Sequence, residues 1–197
     1  IAGVTKSVCT PRVLSGLGVI PRVVSNSRAI YRGKLTLAEA TTRLDQYWRP
    51  YHTRLQSLLS AAQVSFGQAI LIDCHSMPRE ALDGTFRTGQ KRPEIIIGDR
   101  FGASASRYIV DCIQDILTEA GFTVSRNMPF AGAYITQHYG RPSQRQHAVQ
   151  FEIDRSLYMD EATLRPHAGF AQLCDQLDPV VAKLADLGRA RDRLAAE

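Results

Sequence analysis

Several residues in this sequence stand where they could handle a proton, a cation and an anion. Asp73, Cys74, His75 and Ser76 follow one another directly, and Glu152 lies between Phe151 and Ile153. A carboxylate inside an apolar run is expensive to bury unless it is paired with a neighbouring arginine or working. Arg100, Arg141 and Arg155 sit in or beside turn-forming stretches, accompanied by Asn127, Tyr134 and His138. One imidazole with a glutamate and several arginines suits metal-assisted hydrolysis of an anionic amide. Zinc would polarise the carbonyl and acidify water, the glutamate would carry the proton, and an arginine would hold the substrate carboxylate. Catalytic zinc takes three protein ligands as a rule, and no His-x-x-Glu or similar pair completes the set here. Composition and spacing by themselves therefore leave the reaction open.

The elements that must position these groups can be read around them. Ala69 to Ile72 reads as a short buried strand that delivers the polar tip at its end, with Pro78 stopping further pairing. Alternation along a strand puts Asp73 and His75 on one face and Cys74 on the other. The carboxyl end of a core strand is where open α/β sheets place ligands, although a lone histidine there also serves as a hydrogen-bonded structural residue. Ile95 to Ile97 forms a second buried run ending in Gly98-Asp99-Arg100-Phe101-Gly102, again a charged pair at a strand's carboxyl end. Ser104 is placed to cap a helix with Tyr108, Ile109, Cys112, Ile116 and Leu117 as its apolar face, stopped by Gly121. Phe122 to Val124 then gives a third short strand, and strand, helix, strand with short loops marks an α/β unit with a mostly parallel sheet.

Asn127 to Pro142 reads either as a loop for a small polar ligand or as a plain β-hairpin, with Tyr134 to His138 strand-like. Gln146 to Arg155 is the clearest strand: Val149, Phe151 and Ile153 alternate with Gln150, Glu152 and Asp154. An amphipathic helix closes the chain from about Phe170, and Asp178-Pro179 reads as a cap and first-turn proline that divides it in two. Upstream, Ile1 to Arg32 is a Gly-, Ser- and Pro-rich irregular segment. Thr36 and Glu39 then form a capping box for a helix carrying Leu37, Leu44, Trp48, Tyr51, Leu55, Leu58 and Ala62 at helical spacing. Pro50 should kink or divide that helix near Arg49, and His52 belongs to its packing stripe. The polar stretch Arg79 to Pro93 reads as a surface loop near the site.

With 197 residues, 44% of them hydrophobic, the chain is long enough for one domain around a real core. The formal charge of +5 is scattered and contains no basic block, so it suits small anions and gives no reason to expect nucleic acid. Cys9, Cys74, Cys112 and Cys174 lie far apart, which reads as free thiols in a reducing, cytoplasmic setting. No apolar run approaches the roughly 20 residues of a membrane span. Oligomeric state is not legible.

Ser15-Gly16-Leu17-Gly18-Val19-Ile20-Pro21-Arg22, Pro50-Tyr51-His52, Asp73-Cys74-His75-Ser76-Met77-Pro78, Gly98-Asp99-Arg100-Phe101-Gly102, Asn127-Met128-Pro129-Phe130-Ala131-Gly132 and Glu152-Ile153-Asp154-Arg155-Ser156-Leu157-Tyr158-Met159 resemble, in order, the signatures of the N-formylglutamate amidohydrolase family. The resemblance implies a three-layer α/β/α sandwich with a mixed, mostly parallel sheet, similar to zinc carboxypeptidases. It implies zinc-dependent hydrolysis of N-formyl-L-glutamate to formate and glutamate in histidine breakdown. His75 then resembles the last zinc ligand, Asp73 its supporting partner and Glu152 the general base. Arg100, Arg141 and Arg155 become candidates for the substrate carboxylates, with Asn127 and Tyr134 beside them. Family members carry a Pro-His-Ser-Gly-like segment and a further acidic residue upstream that supply the first two ligands. Neither is in this sequence, so residues 1–197 are expected to be a single amidohydrolase-like domain lacking its N-terminal part. A wider N-acyl amino acid amidase or peptidase, or a non-catalytic small-anion-binding homologue, are the alternatives.

Overall fold

Thr36 opens the first long helical stretch as the capping box requires: Glu39 N–H donates to Thr36 Oγ1 at 3.1 Å, and Thr36 N–H donates to the Glu39 carboxylate at 2.8 Å. The computed structural model describes residues 11–24, 27–86 and 89–189, so Cys9 and the first part of the glycine-rich segment lie outside the described residues. The chain falls into two compact units, residues 1–57 and 58–197.

In the first unit a short helix, α1 (Pro11–Leu14), precedes the irregular stretch around Gly16 and Gly18, closed by a single bridge between Val23 and Ala29. Helix α2 (Leu37–Arg43) runs into a π-helical turn at Leu44–Trp48, followed by α3 (Arg49–Phe66), whose residues from Leu58 on belong to the second unit. Pro50 explains the division: it has no N–H for the carbonyl one turn back, and the Arg49 N–H reaches Leu44 O instead, five residues away. His52 packs its ring against Trp48 and Tyr51, as its place in the stripe suggests.

The second unit is built on a four-stranded sheet of β1 (Ala69–Met77), β2 (Ile95–Gly98), β3 (Val124–Arg126) and β4 (Gln146–Asp154), in the order β1-β4-β2-β3. β1 pairs parallel with β4 and β2 pairs parallel with β3, while β2 and β4 are antiparallel. The sheet is thus mixed and mostly parallel. Its apolar face carries Ile95, Ile97, Val149 and Phe151, buried against Ile109, Ile113 and Leu117 of α4 (Arg107–Glu119) and Leu173 and Val180 of α6 (Gly169–Arg189). The opposite face is covered at β4 by the short helix α5 (Tyr134–Tyr139), to which Gln146 Nε2 donates at Tyr139 O, 2.6 Å away. Beyond β4 the chain makes a small hairpin of β5 (Met159–Asp160) and β6 (Arg165–Pro166) before α6. No described helix is long and apolar enough to cross a membrane.

Several local expectations change on the structure. β1 does not stop at Ile72, because β4 pairs with it through the polar tip as far as Met77. Tyr134 to His138 is helix rather than strand: it lies over β4, both of whose edges are already taken by β1 and β2. Ser104 is not the cap of α4, since its hydroxyl donates to Ala148 O at 2.7 Å and Ser106 holds the cap position. The buried stripe of α4 accordingly shifts to Ile109, Val110, Ile113 and Leu117, leaving Tyr108 outside. The third strand begins at Val124, and α6 continues through Pro179 because Leu173 and Val180 anchor it to one core on either side of the proline. The stretch after β1 is no free surface loop: Leu82 is fully buried with Met77 and Ile96, and the Arg79 guanidinium pairs with the buried Asp154 carboxylate.

Candidate active site

The parallel register of β1 and β4 sets Asp73 opposite Gln150 and His75 opposite Glu152. Side chains alternate in step on the two strands, so these four share one face of the sheet, away from the α4–α6 core. Asp73 Oδ2 lies 3.1 Å from His75 Nε2, with 47% of the imidazole exposed. That oxygen is buried and takes no aligned hydrogen bond from any described residue, so the contact with His75 is a close approach rather than a directed bond.

Glu152 is 9% exposed, and its neighbour on the other side is the fully buried Ile96 of β2. Its Oε1 accepts from Gln150 Nε2 at 2.5 Å, and Gln150 Oε1 in turn accepts the Ala133 N–H at 2.6 Å. Burial pushes the Glu152 carboxyl above the ordinary glutamate value, and the Gln150 hydrogen bond with the His75 and Arg155 charges offsets this only in part. A carboxylate held this way keeps a stronger affinity for a proton, which suits a general base near neutral pH. The Cys74 thiol, on the opposite face, is also raised, by burial and by the negative charge of Asp73. It therefore stays protonated and is a poor nucleophile.

The candidate anion-binding residues separate into two groups. At the carboxyl end of β4, Arg155 donates from Nε to Ser76 Oγ and from Nη2 to Ser76 O, both at 3.1 Å. It lines a cavity of about 520 Å³ with His75, Cys74, Tyr158 and Leu173. Arg100 belongs to the other end. β2 runs against β4, with Gly98 opposite Gln150, so the carboxyl end of β2 points away from that of β1. Arg100, Phe101 and Gly102 form a run of left-handed residues, with φ of 54°, 56° and 87°. Arg100 is fixed by its N–H to Ala131 O at 2.7 Å and reaches Gly132 O through Nη1 at 3.5 Å.

Asn127, itself at φ 58°, builds that turn: its Oδ1 accepts from the Asp99 and Phe101 N–H groups, and its Nδ2 donates to Asp99 Oδ1 at 2.5 Å. The side chain thus supports Arg100 from behind. Tyr134 stacks on His138 with ring centroids 5.1 Å apart. Arg141, whose backbone bridges Gln146 at the start of β4, donates from Nη1 to Gly140 O at 2.7 Å.

The sequence marks residues 127–142 as a candidate ligand loop but gives Gln150 no role beyond its place on the polar face of β4. The signal for Gln150 was present, two residues before Glu152 and hence on its face; its partner, the Ala133 N–H, is visible only in the fold. The loop rests on Gly98, where a Cβ would lie 2.6 Å from Gly132 N. Among the described residues no group of three or more His, Cys, Asp or Glu side chains is placed to hold a metal ion. His75, backed by Asp73, fits one corner of such a site and does not complete it.

A family model for N-formylglutamate amidohydrolase matches residues 5–159. The N-formylglutamate deformylase of Pseudomonas aeruginosa is 32% identical over 186 residues, covering 90% of this chain and 67% of that protein. That of Pseudomonas putida is 34% identical over 147 residues, covering 73% of this chain and 54% of that protein. The crystal structure of an N-formylglutamate amidohydrolase from Ralstonia eutropha matches with a TM-score of 0.79 and 34% identity, over 90% of this chain and 63% of that one. A gene product from Agrobacterium tumefaciens, 19% identical with a TM-score of 0.54, shares the fold. The chain spans between about half and two thirds of the length of these relatives.

Proposed function

The chain belongs to the N-formylglutamate amidohydrolase family, and on that premise we propose that it hydrolyses the formyl amide of N-formyl-L-glutamate, yielding formate and L-glutamate, as a step of histidine breakdown. The observation that carries the reading is the buried Glu152, raised in proton affinity and set beside His75 on one sheet face. Glu152 takes a proton from the attacking water as its oxygen bonds to the formyl carbon. It then delivers a proton to the amide nitrogen as the C–N bond breaks, so that one water is consumed and formate and a free amine leave. Of the candidate arginines, Arg100 and Arg141, both toward the amino end of β4, are assigned to the substrate carboxylates with Tyr134 to the wall beside them; Arg155, held by Ser76 at the opposite end of the sheet, does not share that substrate. Asn127 contributes by holding the Arg100 turn. His75 is assigned as this chain's ligand to a zinc ion, which when bound supplies Lewis acidity to the formyl oxygen.

The test uses the longest natural form of the protein, with metal content and formate release measured on the parent, His75→Ala and Glu152→Gln. About one zinc in the parent is expected, lost in His75→Ala, and kept in Glu152→Gln while turnover falls roughly 10²- to 10⁴-fold. A parent that neither holds metal nor releases formate overturns the reading.

A further inference from the structure

Glu152 is half of a longer arrangement. Gln150 is 4% exposed, so water cannot stand in for either of its partners. Its amide is fixed in one sense: the Ala133 N–H donates to Oε1, and Nε2 donates to Glu152 Oε1. Turning the amide over would set its NH2 against an N–H and its oxygen against a carboxylate, two repulsions in place of two bonds. The Ala133 N–H is held in turn by the approach of the 131–133 loop to the sheet, which Gly98 permits. Arg100 is tied to the same loop through Ala131 O and Gly132 O.

We propose that Gln150 is a positioning residue for the hydrolytic reaction: it locks the Glu152 carboxylate by Oε1, presents Oε2 as the oxygen that takes the proton, and couples that orientation to the loop that fixes Arg100. The inference rests on the assignment of Glu152 as the base. The loop, Gln150 and Glu152 form one rigid chain from a substrate-binding side chain to a proton acceptor, so substrate seated on Arg100 meets a base already aimed. A group in this role acts on the rate of the chemical step rather than on substrate affinity.

The experiment measures kcat and KM for formate release in the longest natural form and its Gln150→Met and Gln150→Glu variants, with Glu152→Gln alongside. Gln150→Met removes both hydrogen bonds. Gln150→Glu keeps an acceptor for the Ala133 N–H but turns a carboxylate on Glu152. Both are expected to lose kcat by roughly 10- to 100-fold, the loss typical of removing a group that orients an active-site side chain, with KM nearly unchanged in Gln150→Glu, which keeps the Ala133 anchor, and raised as well in Gln150→Met, which frees the loop. Normal kcat in Gln150→Glu, or a loss carried by KM alone, overturns the proposal, because the residue would then only anchor the loop. Full turnover in Glu152→Gln sinks the assignment of the base itself, whereas loss there with both Gln150 variants unaffected sinks this inference alone. A readout independent of turnover is the NMR signal of the Gln150 side-chain amide. In Glu152→Leu it should shift and lose exchange protection while the Ala133 amide stays protected; an unmoved signal also overturns the proposal.

Discussion

At the scale of single residues, the same burial that fits Glu152 for its assigned work makes it a cost to the fold. Its carboxyl holds a proton more tightly in the native state than in the unfolded chain, for which the ordinary value is 4.5. Its contribution to stability is therefore fully present below that value and is lost as pH rises through the raised native one. Glu152→Gln keeps an oxygen for the Gln150 amide and removes the cost of ionisation. In metal-free protein its urea midpoint should match the parent's at about pH 4 and exceed it increasingly toward about pH 8, and a gap that does not widen rejects the argument. Asp73 and His75 stand out in the sequence as a polar tip on an apolar strand, and Glu152 as a carboxylate inside an apolar run. Gln150 shows in the sequence only as a neighbour on the face of Glu152, since an amide announces no chemistry until its second partner, the Ala133 N–H, is in place.

At the scale of elements, Gly98 fixes how closely the 131–133 loop lies on the sheet. Gly98→Ala would place a methyl 2.6 Å from Gly132 N and 2.8 Å from Ala131 C, backbone atoms that cannot swing aside. The expected cost is about 1 to 3 kcal/mol by urea unfolding, together with a drop in formate release, and an unchanged midpoint would show that the loop is free to lift. Elements with chemical punctuation were readable in advance: the Thr36–Glu39 capping box, Gly121 at φ 92° after α4, and the alternation of β4. Strand direction was not. Periodicity carries no arrow, so nothing in Ile95–Gly98 reveals that it runs against β4 and sends Arg100 to the end of the sheet opposite Arg155. The Tyr134–Tyr139 helix departs from its local preference for a related reason: Tyr, Ile and Thr favour strand, but the segment lies over β4, which offers no open edge.

At the scale of the whole molecule, the sheet of the second unit is welded to α4 and α6 through one apolar cluster with Ile113 fully buried in it. Ile113→Ala should cost about 2 to 5 kcal/mol. The slowest-exchanging amides of β2 and β4 should lose that same free energy together, and a loss confined to α4 would show that the cluster is not one cooperative body. The alternation of β1 has a further consequence, for the kinds of genetic change this protein can absorb. A substitution at Leu71 or Ile72 alters one contact, but deleting either residue would turn the rest of the strand over, swinging Cys74 and Ser76 to the face of Gln150 and Glu152 and the imidazole to the α6 side. Nothing would have mutated at the chemical residues, yet a thiol and a hydroxyl would face where a carboxylate and an imidazole now do. For this strand, length is a stricter inheritance than composition.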